Sequence, residues 1–182
     1  MRLSASRSCL VVIDVQERLA PVMGDPRKVI DGAARLAAAA RRLGVPTLIS
    51  EQYPKGLGPT MIDVREVVAE ADAYVPKLDF SCCGEPAFMA KFEAFDRRQV
   101  AICGIEMHVC VMQTALDLKD KGYDVFVVAD ACGSRNAADE EIAKLRFAAA
   151  GIPLVSIEMV IFEWLERSGT PEFKEISKTL IR

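Results

Sequence analysis

Continuous apolar segments alternate along this chain with segments of helical periodicity, and this alternation constrains the fold more than any other feature. The strand candidates are residues 9–14, 47–50, 73–75, 100–103, 125–129 and 154–157. Several are apolar throughout, as in parallel strands that are covered by helices on both faces. The helix candidates are residues 26–43, 64–71, 85–95, 109–121, 138–150 and 171–180. The sequence therefore predicts an α/β fold, a three-layer α-β-α sandwich whose six-stranded parallel sheet is doubly wound in the Rossmann-like manner.

Length and composition indicate one domain and a cytoplasmic setting. The chain has 182 residues, 51% of them hydrophobic, and no linker or low-complexity segment divides it, so we expect a single domain over 1–182. No window reaches the roughly 18 apolar residues of a membrane span, and no apolar leader precedes the first strand. The net charge of −3 and the lack of a basic stripe give no reason to expect nucleic acid as a partner.

The six cysteines are expected to be reduced thiols. They are Cys9, Cys82, Cys83, Cys103, Cys110 and Cys132. A chain of this length and apolar content does not need a disulfide framework, and it has no C-x-x-C motif. Its single histidine cannot complete a histidine-rich zinc site. We therefore expect neither a metal nor a cofactor.

Cys110 is the principal candidate for chemistry. It follows the fourth strand and opens a helical pattern, with a glycine break at Gly104 between them. In an open α/β sheet this junction lies at the carboxyl edge, where ligands bind. Because a helix N-terminus stabilises negative charge, this position can lower the pKa of a cysteine and create a nucleophile.

Two further reactive side chains end strands at the same edge. Asp14 closes the first strand and Lys77 follows the third. If the first, third and fourth strands lie near the centre of the sheet, these residues meet Cys110. Asp14 would then act as general base and acid. Lys77 would favour the thiolate and hold Asp14.

In this grouping, Cys110 would attack a carbonyl carbon and form a covalent intermediate. The backbone N–H groups of Glu106 and Cys110 would stabilise the oxyanion. Each side chain also has a purely structural explanation, Asp14 as a turn residue, Lys77 as an exposed cation and Cys110 as an inert thiol.

In these residues and the segments around them, the chain resembles the isochorismatase-like cysteine hydrolases, from about residue 8 to residue 157. The resemblance is carried by VVIDVQ at 11–16, KLDFS at 77–81, GIEMHVCV at 104–111, QTA at 113–115 and DACGSR at 130–135. EQYPKGLG at 51–58 is similar to the branch of small isochorismatase-domain proteins, whose substrates are mostly unassigned.

The resemblance implies a six-stranded parallel sheet, an Asp14–Lys77–Cys110 triad, a cis peptide before Glu106 and a homo-oligomer.

Two differences from known members of the family narrow the range of activities that the resemblance implies. Metal-binding nicotinamidases carry an Asp-x-His arrangement with another histidine nearby, whereas this chain has only His108. Isochorismatases lack the nucleophilic cysteine that Cys110 provides. The resemblance therefore favours metal-independent hydrolysis of a carbon–nitrogen, amide-type bond in a small molecule.

Candidate substrate-pocket residues lie in loops at the carboxyl edge. They are Gln16, Gln52, Tyr53, Phe80 and His108. Loop packing is an equally good explanation for the first four. His108 is expected to supply pocket polarity or a structural hydrogen bond rather than to act as the base. We also expect an ion pair between Asp130 and Arg135.

Two other functions remain open. The chain could be a binding or scaffold protein that keeps the fold without turnover. It could also be a thiol redox sensor in which Cys103 or Cys132 pairs with Cys110, although the missing C-x-x-C motif disfavours this.

Overall fold

A computed structural model describes residues 1–181 and contains one six-stranded parallel sheet. The strands are β1 (Ser8–Ile13), β2 (Thr47–Gln52), β3 (Tyr74–Lys77), β4 (Gln99–Ile105), β5 (Asp124–Gly133) and β6 (Leu154–Val155). The helices are α1 (Pro26–Leu43), α2 (Pro54–Leu57), α3 (Ile62–Arg65), α4 (Pro86–Ala94), α5 (Met112–Asp120), α6 (Ala137–Ala149), α7 (Ile157–Leu165) and α8 (Pro171–Thr179). The predicted six-stranded α/β fold is confirmed.

The strand order is β3-β2-β1-β4-β5-β6. The first three strands extend from β1 towards one edge of the sheet and the last three extend from β4 towards the other edge, so the strand order reverses between the neighbouring strands β1 and β4. Because parallel crossovers are right-handed, helices that precede and follow such a reversal cover opposite faces. α1 packs across β1, β4 and β5 with α7 beside it, and α5 also packs on β5. The reversal also opens a crevice at the carboxyl ends of β1 and β4.

α1 has the capping residues and the buried apolar face that allow a helix to be predicted from sequence. Asp25 accepts a hydrogen bond from the N–H of Lys28 at 3.1 Å and so caps the helix, and Pro26 occupies its first turn. Gly44, with a φ of +68°, ends it in the left-handed conformation. The buried face includes Val29, Ala33 and Leu36 and packs on the sheet, and the helix bounds match the predicted ones.

The sequence prediction fails at the ends of the sheet. β3 is an edge strand, so the condition that the third strand lies near the centre of the sheet is not met. β6 is only two residues long, and Ile157, predicted as strand, begins α7. The missed signal is the helical spacing of the buried Ile157, Val160, Ile161, Trp164 and Leu165, which follows the capping residue Ser156. An apolar run alone does not distinguish a buried strand from a buried helix.

Gly104 allows β1 and β4 to approach closely next to the crevice. Its φ is +121°, and the pairing of β4 with β5 shifts register between Ile102 and Gly104. A Cβ atom at this position would overlap the backbone of Ile13, the residue before Asp14. Glycine is therefore required here for both conformation and space.

We predict that Gly104→Ala lowers the free energy of unfolding by about 1–3 kcal/mol more than Gly44→Ala, because only the first substitution adds an overlap to the backbone strain. Gly44 is a matched control, since it also has a positive φ but has nothing within 4 Å of the added carbon. Urea unfolding of both variants measures the difference. Equal losses would show that the close approach of β1 and β4 does not matter.

Candidate active site

Asp14 lies at the end of β1, fully buried at the mouth of the crevice. Its φ of +54° is left-handed, a conformation that aspartate tolerates better than most residues. The Oγ of Ser50 donates to Oδ1 at 2.6 Å, and the Nζ of Lys77 donates to Oδ2 at 2.8 Å. Both carboxylate oxygens are thus held, which fixes the plane of the side chain.

Lys77 reaches Asp14 from the edge of the sheet, across the end of the intervening strand β2. Its ammonium is buried and also donates to the Oε1 of Gln52 at 2.6 Å and to the carbonyl oxygens of Asp79 and Phe80, both at 3.1 Å. Burial is the largest single influence on the pKa of Lys77 and would lower it, but the charge and hydrogen bond of Asp14, together with Cys82 and Cys110, outweigh burial and raise the pKa. Lys77 is therefore a buried cation, not a solvated one.

Cys110 lies in a π-helical turn, Met107–Val111, that joins β4 to α5. Only 6% of the residue is exposed. The carbonyl oxygen of Glu106 accepts hydrogen bonds from the N–H groups of Val109 at 3.0 Å and Val111 at 3.2 Å, which closes the turn. The peptide bond between Ile105 and Glu106 is cis, as the resemblance implied.

The surroundings of the Cys110 thiol raise its pKa instead of lowering it. Burial and the negative charge of Asp14 raise the pKa of Cys110 to about 12, although Lys77 acts in the opposite direction. Cys110 is therefore a neutral thiol at rest, and its proton must be removed during attack.

Glu106 and Arg135 form the ion pair on the other side of the crevice. Oε2 of Glu106 accepts from the backbone N–H of Arg135 at 3.0 Å and from its Nε at 3.1 Å. The predicted Asp130–Arg135 pair is wrong, because Oδ1 of Asp130 instead accepts from the N–H of Ile157 at 2.8 Å, at the start of α7. The Glu106 contact anchors the loop after β5 to the segment that precedes Cys110.

His108 turns towards the loop after β5 and the start of α6. Its Nδ1 lies 2.8 Å from the Oγ of Ser134, and its Nε2 lies 3.9 Å from Oδ2 of Asp139. These contacts favour the structural hydrogen bond over a role as the base for Cys110.

Gln16 and Gln52 use their amides to fasten the loop over 51–61. The Nε2 of the fully buried Gln16 donates to the carbonyl oxygens of Gln52 and Gly58, at 2.9 Å and 2.7 Å, and its Oε1 accepts from the N–H of Gln52 at 2.7 Å. Gln52 in turn donates to the carbonyl oxygen of Leu78 at 2.8 Å. The contacts of Gln16 favour loop packing, while Gln52 also touches the ammonium of Lys77.

Tyr53 and Phe80 are exposed at the rim of the same edge. About half of each residue is accessible, and Tyr53 has a left-handed φ of +37°. A depression of about 290 Å³ lies between Tyr53 and Leu78, with Lys77 in its wall. A larger one of about 420 Å³ lies at the opposite edge of the sheet, lined by residues such as Arg41 and Phe95. We assign the chemistry to the first edge because the buried charges and Cys110 are there.

Ser50 is the site residue that sequence reasoning missed. It is fully buried near the end of β2, opposite Ile13 in the strand register, and its hydroxyl binds Asp14. A polar residue within the apolar run of a central strand was the available signal, since buried hydroxyl groups need a partner.

Comparison with known proteins identifies the family. The model of the isochorismatase domain matches residues 8–159. The isochorismatase domain-containing protein 2 of Danio rerio is 39% identical over 179 residues, which cover 98% of this chain and 89% of that protein.

Solved structures show the same fold over the whole chain. The MAR1 ribonuclease of Caenorhabditis elegans superposes with a TM-score of 0.92 at 36% identity, covering 100% of this chain and 93% of its own. The YcaC gene product of Escherichia coli, described as an octameric hydrolase of unknown specificity, gives a TM-score of 0.92 at 24% identity, covering 100% of this chain and 91% of its own.

We predict that Asp14→Asn lowers the pKa of the Cys110 thiol below its value of about 12, because it removes a negative charge that opposes the thiolate. The pKa is measured from thiolate absorbance as a function of pH. Subtracting the absorbance of the double variant Asp14→Asn/Cys110→Ala from that of Asp14→Asn leaves the contribution of Cys110. An unchanged or higher pKa would mean that Asp14 does not act on this thiol.

Proposed function

This chain belongs to the isochorismatase family, and from that premise we propose that it is a metal-independent cysteine hydrolase that cleaves an amide-type bond of a small molecule. The observation that supports this most strongly is the buried contact of Lys77 with Asp14, at 2.8 Å, beside a thiol whose pKa responds to both charges.

The chemistry follows from the resting state of the three groups. As a carbonyl compound binds, Asp14 takes the proton of Cys110, and the sulfur attacks the carbonyl carbon. The carbonyl electrons move to oxygen, where the N–H groups of Glu106 and Cys110 stabilise the charge. Collapse breaks the carbon–nitrogen bond, and Asp14 returns its proton to the departing amine. Water then attacks the acyl-cysteine and releases the acid.

Lys77 has a supporting role in this scheme. Its four acceptors exceed the three N–H groups of an ammonium, so at least one N–H is shared and the group cannot swing away easily. It stabilises the thiolate that forms transiently and holds Asp14 in place. The positive charge of Lys77 lowers the pKa of Cys110, whereas the negative charge of Asp14 raises it.

The scaffold alternative is not favoured. A scaffold protein has no need of a buried carboxylate, ammonium and thiol in one crevice, since burying charges is unfavourable. The Caenorhabditis elegans relative is called a ribonuclease. The net charge of −3 gives this chain no electrostatic basis for binding RNA.

The compartment and the assembly are part of the same proposal. None of helices α1–α8 is long and apolar enough to cross a membrane. All six cysteines are free thiols, as in a reducing compartment such as the cytoplasm. We expect a homo-oligomer, in keeping with the octamer described for the Escherichia coli protein.

We predict that the protein releases ammonia or an amine from at least one member of a library of small amides. Cys110→Ala should lower that rate at least about 1000-fold, because the scheme has no other nucleophile. Cys83→Ala is the matched control, since this half-buried thiol lies outside the Asp14 and Lys77 contacts and its loss should leave the rate unchanged.

Two outcomes would contradict the proposal. Hydrolysis that survives Cys110→Ala would rule out the acyl-cysteine. His108→Ala losing activity as completely as Cys110→Ala would assign the base to His108 instead of Asp14.

A further inference from the structure

The hydroxyl of Ser50 has no role in a scheme that contains only Asp14, Lys77 and Cys110. Ser50 is nevertheless completely buried, and its Oγ lies 2.6 Å from Oδ1 of Asp14. The two residues are also joined through their backbones, because the N–H of Asp14 donates to the carbonyl oxygen of Ser50 at 3.1 Å. The hydroxyl is thus fixed on one particular oxygen of the proposed base.

Behind Ser50 lies a second buried thiol that the reaction does not use. Cys82 is fully buried, and its backbone N–H donates to the Oγ1 of Thr114 at 3.0 Å, one helical turn beyond Cys110. Burial raises the pKa of Cys82 to about 12, although the nearby hydroxyl groups of Ser50 and Thr114 act in the opposite direction. At neutral pH it is a protonated thiol that does not compete for the Asp14 proton.

The two contacts on Asp14 are chemically different. The ammonium of Lys77 can only donate, so it stabilises a negative charge on Oδ2 and disfavours a proton there. A hydroxyl can donate or accept. It can therefore remain hydrogen-bonded to Oδ1 whether this oxygen is charged or protonated. Asp14, which must accept a proton and later return it, therefore has one partner that can only donate a hydrogen bond and one that can either donate or accept.

We propose that Ser50 is a positioning residue for Asp14 and directs the transferred proton to Oδ1. This inference rests on the proposed function. When the S–H bond of Cys110 breaks, an O–H bond forms on Oδ1 and donates to the Oγ of Ser50. The hydroxyl then turns its own hydrogen towards the sulfur of Cys82. When the amine leaves, the Oδ1 proton moves to its nitrogen, and Ser50 again donates to the carboxylate.

The test compares Ser50→Thr with Ser50→Val, which have nearly the same shape and differ in the hydroxyl. Threonine and valine are both β-branched and both favour the β-strand conformation. We expect Ser50→Thr to keep most of the turnover. Ser50→Val should lower kcat about tenfold or more with little change in KM, since hydrogen bonds to charged groups are the stronger ones. If the β-branched pair does not fold, Ser50→Ala against the wild-type protein tests the same loss.

A second readout does not depend on turnover. Iodoacetamide labelling of Cys110 at pH 7, followed by peptide mass spectrometry, should be slower in Ser50→Val than in Ser50→Thr by a similar factor. The partly exposed Cys83 is the internal control and should be labelled equally in both. A merely structural hydroxyl would alter stability without this difference in labelling.

The possible failures are distinguishable. Equal kcat and equal Cys110 labelling in the Thr and Val variants would overturn the role of Ser50, even if amide hydrolysis depends on Cys110. A labelling difference that persists in a protein without any amide turnover would support Ser50 and contradict the proposed function.

Discussion

The rest of the site depends on the buried ion pair between Lys77 and Asp14. Taking both charges out of water is unfavourable, and removing one partner of such a pair typically costs about 3–5 kcal/mol because the other is left uncompensated. Here the carboxylate has two partners and the ammonium four. The pair links the edge strand β3 to the central strand β1 across the end of β2, and so fixes the loops around the crevice.

The same pair determines the state of the thiol. Asp14 opposes ionisation of Cys110 and Lys77 favours it, and with burial the balance leaves a pKa of about 12. A free thiolate at neutral pH would react with many electrophiles. A protonated thiol beside a fixed base becomes a nucleophile only when proton transfer and attack are coupled. We infer that the crevice keeps the sulfur protonated until an electrophile lies beside it.

Much of the fold and the position of the site could be predicted from the sequence, because the carboxyl ends of parallel strands share one edge. The pattern could not show that β3 is an edge strand, since strand order depends on long-range packing. It also could not show that a lysine side chain spans the gap. Arg135 pairs with Glu106 rather than Asp130 because β5 extends to Gly133 and leaves Asp130 within the strand. The contact of Ser50 with Asp14 could not be predicted, because no local sequence pattern identifies the partner of a buried hydroxyl group.

The most direct test of the account is a crystal structure of the protein with a small aldehyde bound. We predict a hemithioacetal on the sulfur of Cys110, with its oxygen within hydrogen-bond distance of the N–H groups of Glu106 and Cys110 and with Lys77 still bound to Asp14. An aldehyde that occupies the crevice without a bond to Cys110, or an oxygen directed away from these N–H groups, would contradict the central claim.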